Sequence, residues 1–212
     1  MAPFEELLKK SVAKHGHLCA GQVIGVRMAM LGCRLVGIDD PKSPEFRKKL
    51  IVFVEIDRCA TDAIESVTGC RMGKRTLKFK DFGINAATFV NLETQTAYRL
   101  ISTEESRKTC ERYAPDQTDP TQRQIQGYSK MPDELLFDIQ QVKVDLPDSD
   151  MPGPPRSHAV CSRCGQMVRD GKERRIKNQI LCRPCAGEGY YHLMENHHPD
   201  EGGEQIPKEI NP

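Results

Sequence analysis

The sequence predicts an α+β protein, mainly an antiparallel sheet packed with helices and followed by a small metal-stabilised domain. Three observations carry that reading: two segments of helical period open the chain, strand-forming runs follow between Leu50 and Ile101, and two Cys-x-x-Cys pairs with 17 residues between them stand near the C-terminal end. At 212 residues with 38% hydrophobic content, the chain supports one moderate core with length left for a second module.

The elements follow in order. Phe4, Leu7, Leu8 and Val12 recur at helical spacing, so a first helix covers about residues 3 to 14, with Pro3 tolerated in its first turn. It ends at His15-Gly16-His17. A second helix runs from near Cys19 to Leu31 and is largely apolar through Val23, Ile24, Val26, Met28 and Met30, so Arg27 inside it needs a carboxylate partner. Leu50 to Ile56, broken only by Glu55, reads as a central strand that delivers Asp57, Arg58 and Cys59 at its end. Ala60 to Val67 is the next helix, stopped by Gly69 before Cys70.

Strands at Thr76–Phe82, Ala87–Leu92 and Thr96–Ile101 read as a β-meander, with Lys80-Asp81 at a turn. Thr103 opens a short helix to about Tyr113, Asp119 to Gly127 forms another, and Pro132 opens a third that leads into a last strand over Phe137–Leu146. The predicted organisation is thus a core over residues 1–146, a proline-rich linker over 147–157, a four-cysteine finger over 158–198 and a polar tail over 199–212.

Composition narrows the function classes. A formal charge of +1 gives no global reason to bind nucleic acid or an anionic membrane. No apolar run approaches the roughly 20 residues of a spanning helix, and charges at the start replace a signal peptide's apolar stretch. A cytoplasmic protein is expected. Nine cysteines, an odd number without a secretion signal, argue for metal ligands or reactive thiols over a disulfide scaffold.

Cys161-x-x-Cys164 and Cys182-x-x-Cys185 have the spacing of two knuckles around one tetrahedral ion. Zinc is expected there in preference to rubredoxin-like iron, in a structural role because four thiolates fill four positions. So short a finger draws much of its stability from the metal. The hairpin before Cys182 and a helix expected after it give an order similar to treble-clef fingers. Arg163, Arg169, Lys172, Arg174, Arg175, Lys177 and Arg183 make this module basic. A solvated face or a protein contact explains them better than nucleic-acid binding, since no base-reading pattern accompanies them. His192, His197 and His198 read as helix-end histidines once four cysteines complete the site.

The other chemistry-bearing cluster lies in the first third of the chain. Cys19 is predicted at a helix start, where exposed N–H groups favour the thiolate, and His17 lies two residues before it. On the residues alone the set, with Cys59, reads equally as inert core residues or as a functional site, and within the functional reading the absence of recognisable oxyanion donors favours a metal site over a base–nucleophile pair. Cys59 and Cys70 are expected to converge on Cys19 from the ends of neighbouring elements. Asp62 is a helix cap, a ligand or an acceptor for His17, with capping placed first. Cys33 and Cys110 read as ordinary thiols.

These residues resemble a known family. His15-Gly-His-Leu-Cys-Ala-Gly21, Asp57-Arg-Cys-Ala-Thr-Asp-Ala-Ile64, Thr68-Gly-Cys-Arg-Met-Gly-Lys74 and Phe79-Lys-Asp-Phe-Gly83 are similar, in order, to the FmdE family, which takes its name from a component of formylmethanofuran dehydrogenase. The resemblance covers about residues 10 to 145. It implies an α+β core, often dimeric, sometimes followed by a treble-clef finger, with His17, Cys19, Cys59 and Cys70 bordering an active or metal site. Ala20 stands where the family usually has proline, and Arg71 where it has a small or hydroxyl residue.

The parent enzyme reduces CO₂ onto methanofuran with a molybdenum or tungsten pterin carried by other subunits, so membership implies association with an oxidoreductase more than self-sufficient catalysis. The leading expectation is a homodimeric metal-binding accessory to a one-carbon oxidoreductase, with zinc at the four cysteines and a second metal ion in the core. An independent metal- or thiolate-dependent enzyme using His17, Cys19, Cys59 and Cys70 is the alternative, and a zinc-finger adaptor is the third reading.

Overall fold

The computed structural model describes residues 1–192, so His197, His198 and the tail over 199–212 lie outside the described residues. The chain forms two compact units that divide between Pro154 and Pro155, inside the proline-rich segment.

In the first unit, helix α1 (Phe4–His15) ends at Gly16, whose left-handed φ of 98° turns the chain into the His-Gly-His segment. Helix α2 (Ala20–Leu35) starts from Cys19 and runs one turn beyond its expected end, because Leu31, Gly32 and Cys33 are all buried. Strand β1 (Leu50–Val54) leads into α3 (Cys59–Thr68), which stops at Gly69 in the left-handed region, φ 70°. Strands β2 (Leu77–Phe79), β3 (Ala86–Asn91) and β4 (Ala97–Ser102) follow. Helix α4 (Glu104–Thr109) is capped by Thr103 and α5 (Pro120–Lys130) by Asp119, each side-chain oxygen accepting a first-turn backbone N–H. A short α6 (Asp133–Leu136) then feeds β5 (Phe137–Gln141).

The sheet order is β2-β1-β3-β4-β5. The expected β-meander needs one correction: β2 pairs with β1 and runs parallel to it, while β1, β3, β4 and β5 are antiparallel neighbours. A crossover through α3 makes this parallel pair, as parallel neighbours require. Strand β1 reads as one apolar run because both its faces are covered. Leu50, Val52 and Val54 join the main core with α2 and α3, whereas Ile51 and Phe53 face a second cluster with Val90, Ala97, Val142, Val144 and Leu146. β5 ends at Gln141, so the chain reaching Leu146 covers this second face without extending the strand.

On that face Glu55, just past β1, takes a bidentate pair from Arg99 of β4, with both N–O distances 2.7 Å. Arg27 has the partner its apolar helix required: it reaches Asp133 at 2.5 Å and donates to the backbone oxygens of Tyr128 and Met131, fastening α2 to the end of α5. The segment read as a linker is held to the core at its start. Arg75 donates to the backbone oxygens of Ser149 and Met151, and Lys78 to that of Asp150.

The second unit is two hairpins, β6 (His158–Val160) with β7 (Met167–Arg169) and β8 (Arg174–Ile176) with β9 (Gln179–Leu181). One cysteine knuckle forms the turn between β6 and β7, and the other follows β9. After β9 comes one 3₁₀ turn, Pro184–Ala186, ended by Gly187, and the residues from there to 192 are not helical. The knuckle–hairpin–knuckle order expected of a treble clef is therefore present, and its helix is absent among the described residues.

Candidate metal centres

The core site is built by close helix packing. A Cβ on Gly25 of α2 would lie 2.4 Å from the Ala60 oxygen and 2.7 Å from the Ala63 Cβ, and one on Gly21 would lie 2.8 Å from the Cys59 Cβ and 3.7 Å from the Cys19 Sγ. Only glycine allows this approach, which sets the start of α3 against the start of α2 and Cys59 beside Cys19. Fully buried Gln22 holds the junction: it accepts from Ser11 Oγ at 2.5 Å and donates to the Cys59 backbone oxygen at 2.7 Å.

His15, His17 and Cys19 bring one donor atom each to within 4.8 Å of one another. His15 was not among the residues expected to bind. Its side chain is 12% exposed, its Nδ1 lies 2.8 Å from Asp62 Oδ2, and its Nε2 is buried without a hydrogen-bond partner among the described residues. A carboxylate-oriented metal histidine has the same arrangement, with one ring nitrogen held by an acid and the other without a protein partner. An imidazole, a second imidazole and a thiolate suit a borderline transition metal such as zinc. The residues present therefore fit an ion, and the orphaned Nε2 is the observation that shows it.

Asp62 does not cap α3. Arg58 occupies the capping position without a side-chain bond, and Thr61 Oγ1 donates instead to the Ile56 oxygen. The carboxylate serves His15 and not His17, whose ring packs tilted at 40° against that of His15 with centroids 4.6 Å apart. Cys59 stands next to Cys19 but outside the three-donor set. Its burial, and then the adjacent Cys19 thiol, push its own thiol up.

Cys70 is not part of this cluster. It follows the far end of the ten-residue α3, about 15 Å from Cys59 at 1.5 Å per residue. There it is buried, its Sγ lies 3.7 Å from the Leu50 oxygen, and burial pushes its thiol up to about 11. Thr68-Gly-Cys70 lies close to Cys59 in sequence, and the rigid helix between them separates the two. Cys33 and Cys110 are likewise buried, as ordinary core thiols. The loop after β2 runs along the end of β1, where Phe82 and Ile84 donate backbone N–H groups to the Glu55 oxygen.

In the second unit Cys161, Cys164, Cys182 and Cys185 converge, all four sulfurs within 4.8 Å of one another. A left-handed Gly165 (φ 71°) lets the first knuckle close, with its N–H on the Cys161 oxygen at 2.9 Å, and Ser162 N–H ties that knuckle to Ile180 at 2.8 Å. Backbone N–H groups of Cys182 and Cys164 lower the Cys161 thiol to about 6, a thiolate at neutral pH. Its neighbours respond in the opposite sense: the other sulfurs push Cys185 up to about 12, led by Cys182. One charge inside a ring of thiols opposes the next, which a dication would relieve. This cluster can hold a metal ion. Several of the surrounding cations are already engaged, Arg174 bidentate with Glu188 at 2.5 and 2.8 Å and Arg175 with Glu173 at 3.2 Å. That pairing suits the solvated-face reading.

The family model "FmdE, Molybdenum formylmethanofuran dehydrogenase operon" matches residues 14–145. A probable S-adenosyl-L-methionine-binding protein of Archaeoglobus fulgidus is 24% identical over 199 residues, which are 87% of this chain and 53% of that protein. The chain therefore spans about half the length of that relative. A crystal structure of a tungsten formylmethanofuran dehydrogenase FmdE-like protein from Syntrophus aciditrophicus shares the fold, with a TM-score of 0.58 at 19% identity over 89% of this chain and 95% of that one.

Proposed function

The chain belongs to the FmdE family, and from that premise we propose that it is a metal-binding accessory protein of a molybdenum- or tungsten-dependent one-carbon oxidoreductase, formylmethanofuran dehydrogenase being the first to test. The observation that carries the metal reading is His15, whose Nε2 is buried without a partner among the described residues and whose ring brings a donor atom to within 4.8 Å of those of His17 and Cys19. His15, His17 and Cys19 would hold the core ion, Asp62 would orient His15, and Gln22 would keep Cys59 at the site. The ion would supply Lewis acidity at a partly open position. In the second unit, zinc at Cys161, Cys164, Cys182 and Cys185 would be structural. Among the described residues no helix is long and apolar enough to cross a membrane, and the cysteine-rich composition suits a reducing compartment such as the cytoplasm. A homodimer belongs to the same proposal.

Cobalt substitution tests the metal reading. Two Co²⁺ per chain are expected, with one set of thiolate charge-transfer bands lost in Cys19→Ser and the other in Cys161→Ser. A single ion per chain, unaffected by Cys19→Ser, would overturn the core site. Co-elution with the purified dehydrogenase tests the association, and sedimentation tests the dimer.

A second reading, an independent metal-dependent enzyme, is favoured by one observation: the core set stops at three donors, and His17 is exposed. Three protein ligands with room for a water or substrate are the pattern of catalytic sites. The description of the Archaeoglobus relative makes S-adenosyl-L-methionine a ligand to include in those assays.

A further inference from the structure

The far end of α3 carries a second feature that the metal reading does not use. A cavity of about 230 Å³ lies between the segment before β1, the end of α3 and the turn that follows, and Pro41, Leu50, Thr68, Gly69 and Cys70 line it together with four cationic side chains, Lys42, Arg47, Arg71 and Lys74. Acids do not match them. Among the described residues no carboxylate oxygen lies within 4.0 Å of a side-chain nitrogen of Lys42, Arg47 or Lys74, and Arg71 shares Glu65 with Lys14 of α1, at 3.7 and 3.5 Å. Lys10 and Lys14 add to the positive field from α1, and Asp40 opposes it at Lys42. Partial desolvation, then those two ammonium groups, lower the Lys42 ammonium below the ordinary lysine range.

The plain alternative is that cations gather here because α3 ends here, and a helix C-terminus favours positive charge. Magnitude decides against it. A helix end carries roughly half an elementary charge, which with Glu65 falls short of the four cations around this cavity. All four side chains are exposed, and the Lys42 chain is the one packed in place. Gly69, left-handed at φ 70°, lets the Lys42 chain pack over the helix end, where a Cβ would stand 3.2 Å from its Cγ. Backbone donors at the site are engaged, Gly69 N–H with the Glu65 oxygen, Cys70 N–H with Thr68 Oγ1 and Arg71 N–H with Thr76 Oγ1. Side chains alone would therefore supply the positive charge.

We propose that this cavity binds a phosphate-sized oxyanion, either free or as the terminal group of a small phosphate ester. Its size sets the class, because pockets that engulf whole cofactors run to about 300–1,000 Å³. Guanidinium forks on Arg47 and Arg71 suit a tetrahedral oxyanion, and Lys42 and Lys74 add point charges that a doubly negative group offsets better than a singly negative one. The site lies at the end of α3 opposite Cys59, about 15 Å along the helix, and does not depend on a metal at His15, His17 and Cys19.

Isothermal titration of the full-length protein with inorganic phosphate, at ionic strength fixed with sodium chloride, tests it. Saturable binding of one phosphate per chain is expected, with a rise in melting temperature that equal chloride does not give. Lys42→Ala and Lys74→Ala should each weaken binding at least tenfold, and both replace exposed side chains with no ion pair among the described residues, so the variants should fold. Phenyl phosphate in a parallel titration identifies the source: equal affinity assigns the terminal group of an ester, and much weaker binding assigns the free ion. No saturation, an equal effect of chloride, or unchanged affinity in both lysine variants would overturn the proposal.

Discussion

His15 and Asp62 are 47 residues apart in the chain and meet at 2.8 Å, which fixes one imidazole nitrogen and leaves the other buried with no partner among the described residues. The pair forms because α1 ends at Gly16 against the first turn of α3, and α3 is held there by the glycine face of α2.

Asp62→Ala should therefore act on the metal and not on the fold. Its side chain is 63% exposed, so little packing is lost, while His15 loses the carboxylate that orients it. Losses of about 10–100-fold in metal affinity are typical for such partners. Competition with a chromophoric chelator measures the change, and an unaltered circular-dichroism melt confirms that the fold is kept.

Gly25→Ala tests the packing that assembles the site. The added methyl would meet the Ala60 backbone oxygen at 2.4 Å, and neither helix can yield without losing contacts along its length. Overpacking of this kind costs about 1–3 kcal/mol. Gly73→Ala, with nothing within 4 Å of its Cβ position, is the control and should stay within about 0.5 kcal/mol in urea unfolding.

Most elements of the first unit were legible because periodicity is local. Phe4 to Val12, Val23 to Met30 and Leu50 to Val54 announce their burial through spacing alone. The partner of β2 was not legible, since three residues of strand carry no signal for which neighbour they join. At the site, His17, Cys19 and Cys59 could be chosen by residue type. His15 could have been found by residue type, as a second imidazole two residues from His17 at a helix end, but Asp62 as its partner depends on packing between distant elements. Cys70 was misplaced for the converse reason: sequence nearness to Cys59 hid the length of helix between them.

The Glu55–Arg99 pair should be asymmetric to mutation. Glu55 keeps 6% of its side chain exposed and Arg99 23%, so losing the arginine strands a buried carboxylate, whereas losing the glutamate leaves a guanidinium that still reaches Gln140 at 3.2 Å. Arg99→Met should cost about 3 kcal/mol or more and Glu55→Gln less. The Glu55→Met/Arg99→Met double variant should recover much of the Arg99→Met loss. Urea midpoints of the three variants read these outcomes.

Metal loading of the second unit should release protons and weaken as pH falls. Cys161, lowered to about 6, is already a thiolate at neutral pH and offers the first bond, but Cys164 and Cys185 are pushed above the ordinary thiol range and must give up protons to the ion. The sign follows directly: acidification first restores protons to Cys164 and Cys185, then protonates Cys161 near its own lowered value, and each step competes with the metal. A zinc titration in weakly buffered solution with an indicator dye should show acid release, and apparent affinity should fall steadily from pH 8 to pH 6. Each hairpin here is three residues per strand, and the cluster of Cys161, Leu181 and Cys182 is small, so the ion replaces the core this unit lacks. A strong chelator, or Cys182→Ser, should therefore abolish hydrogen-exchange protection over residues 158–192 while the sheet of the first unit keeps its own.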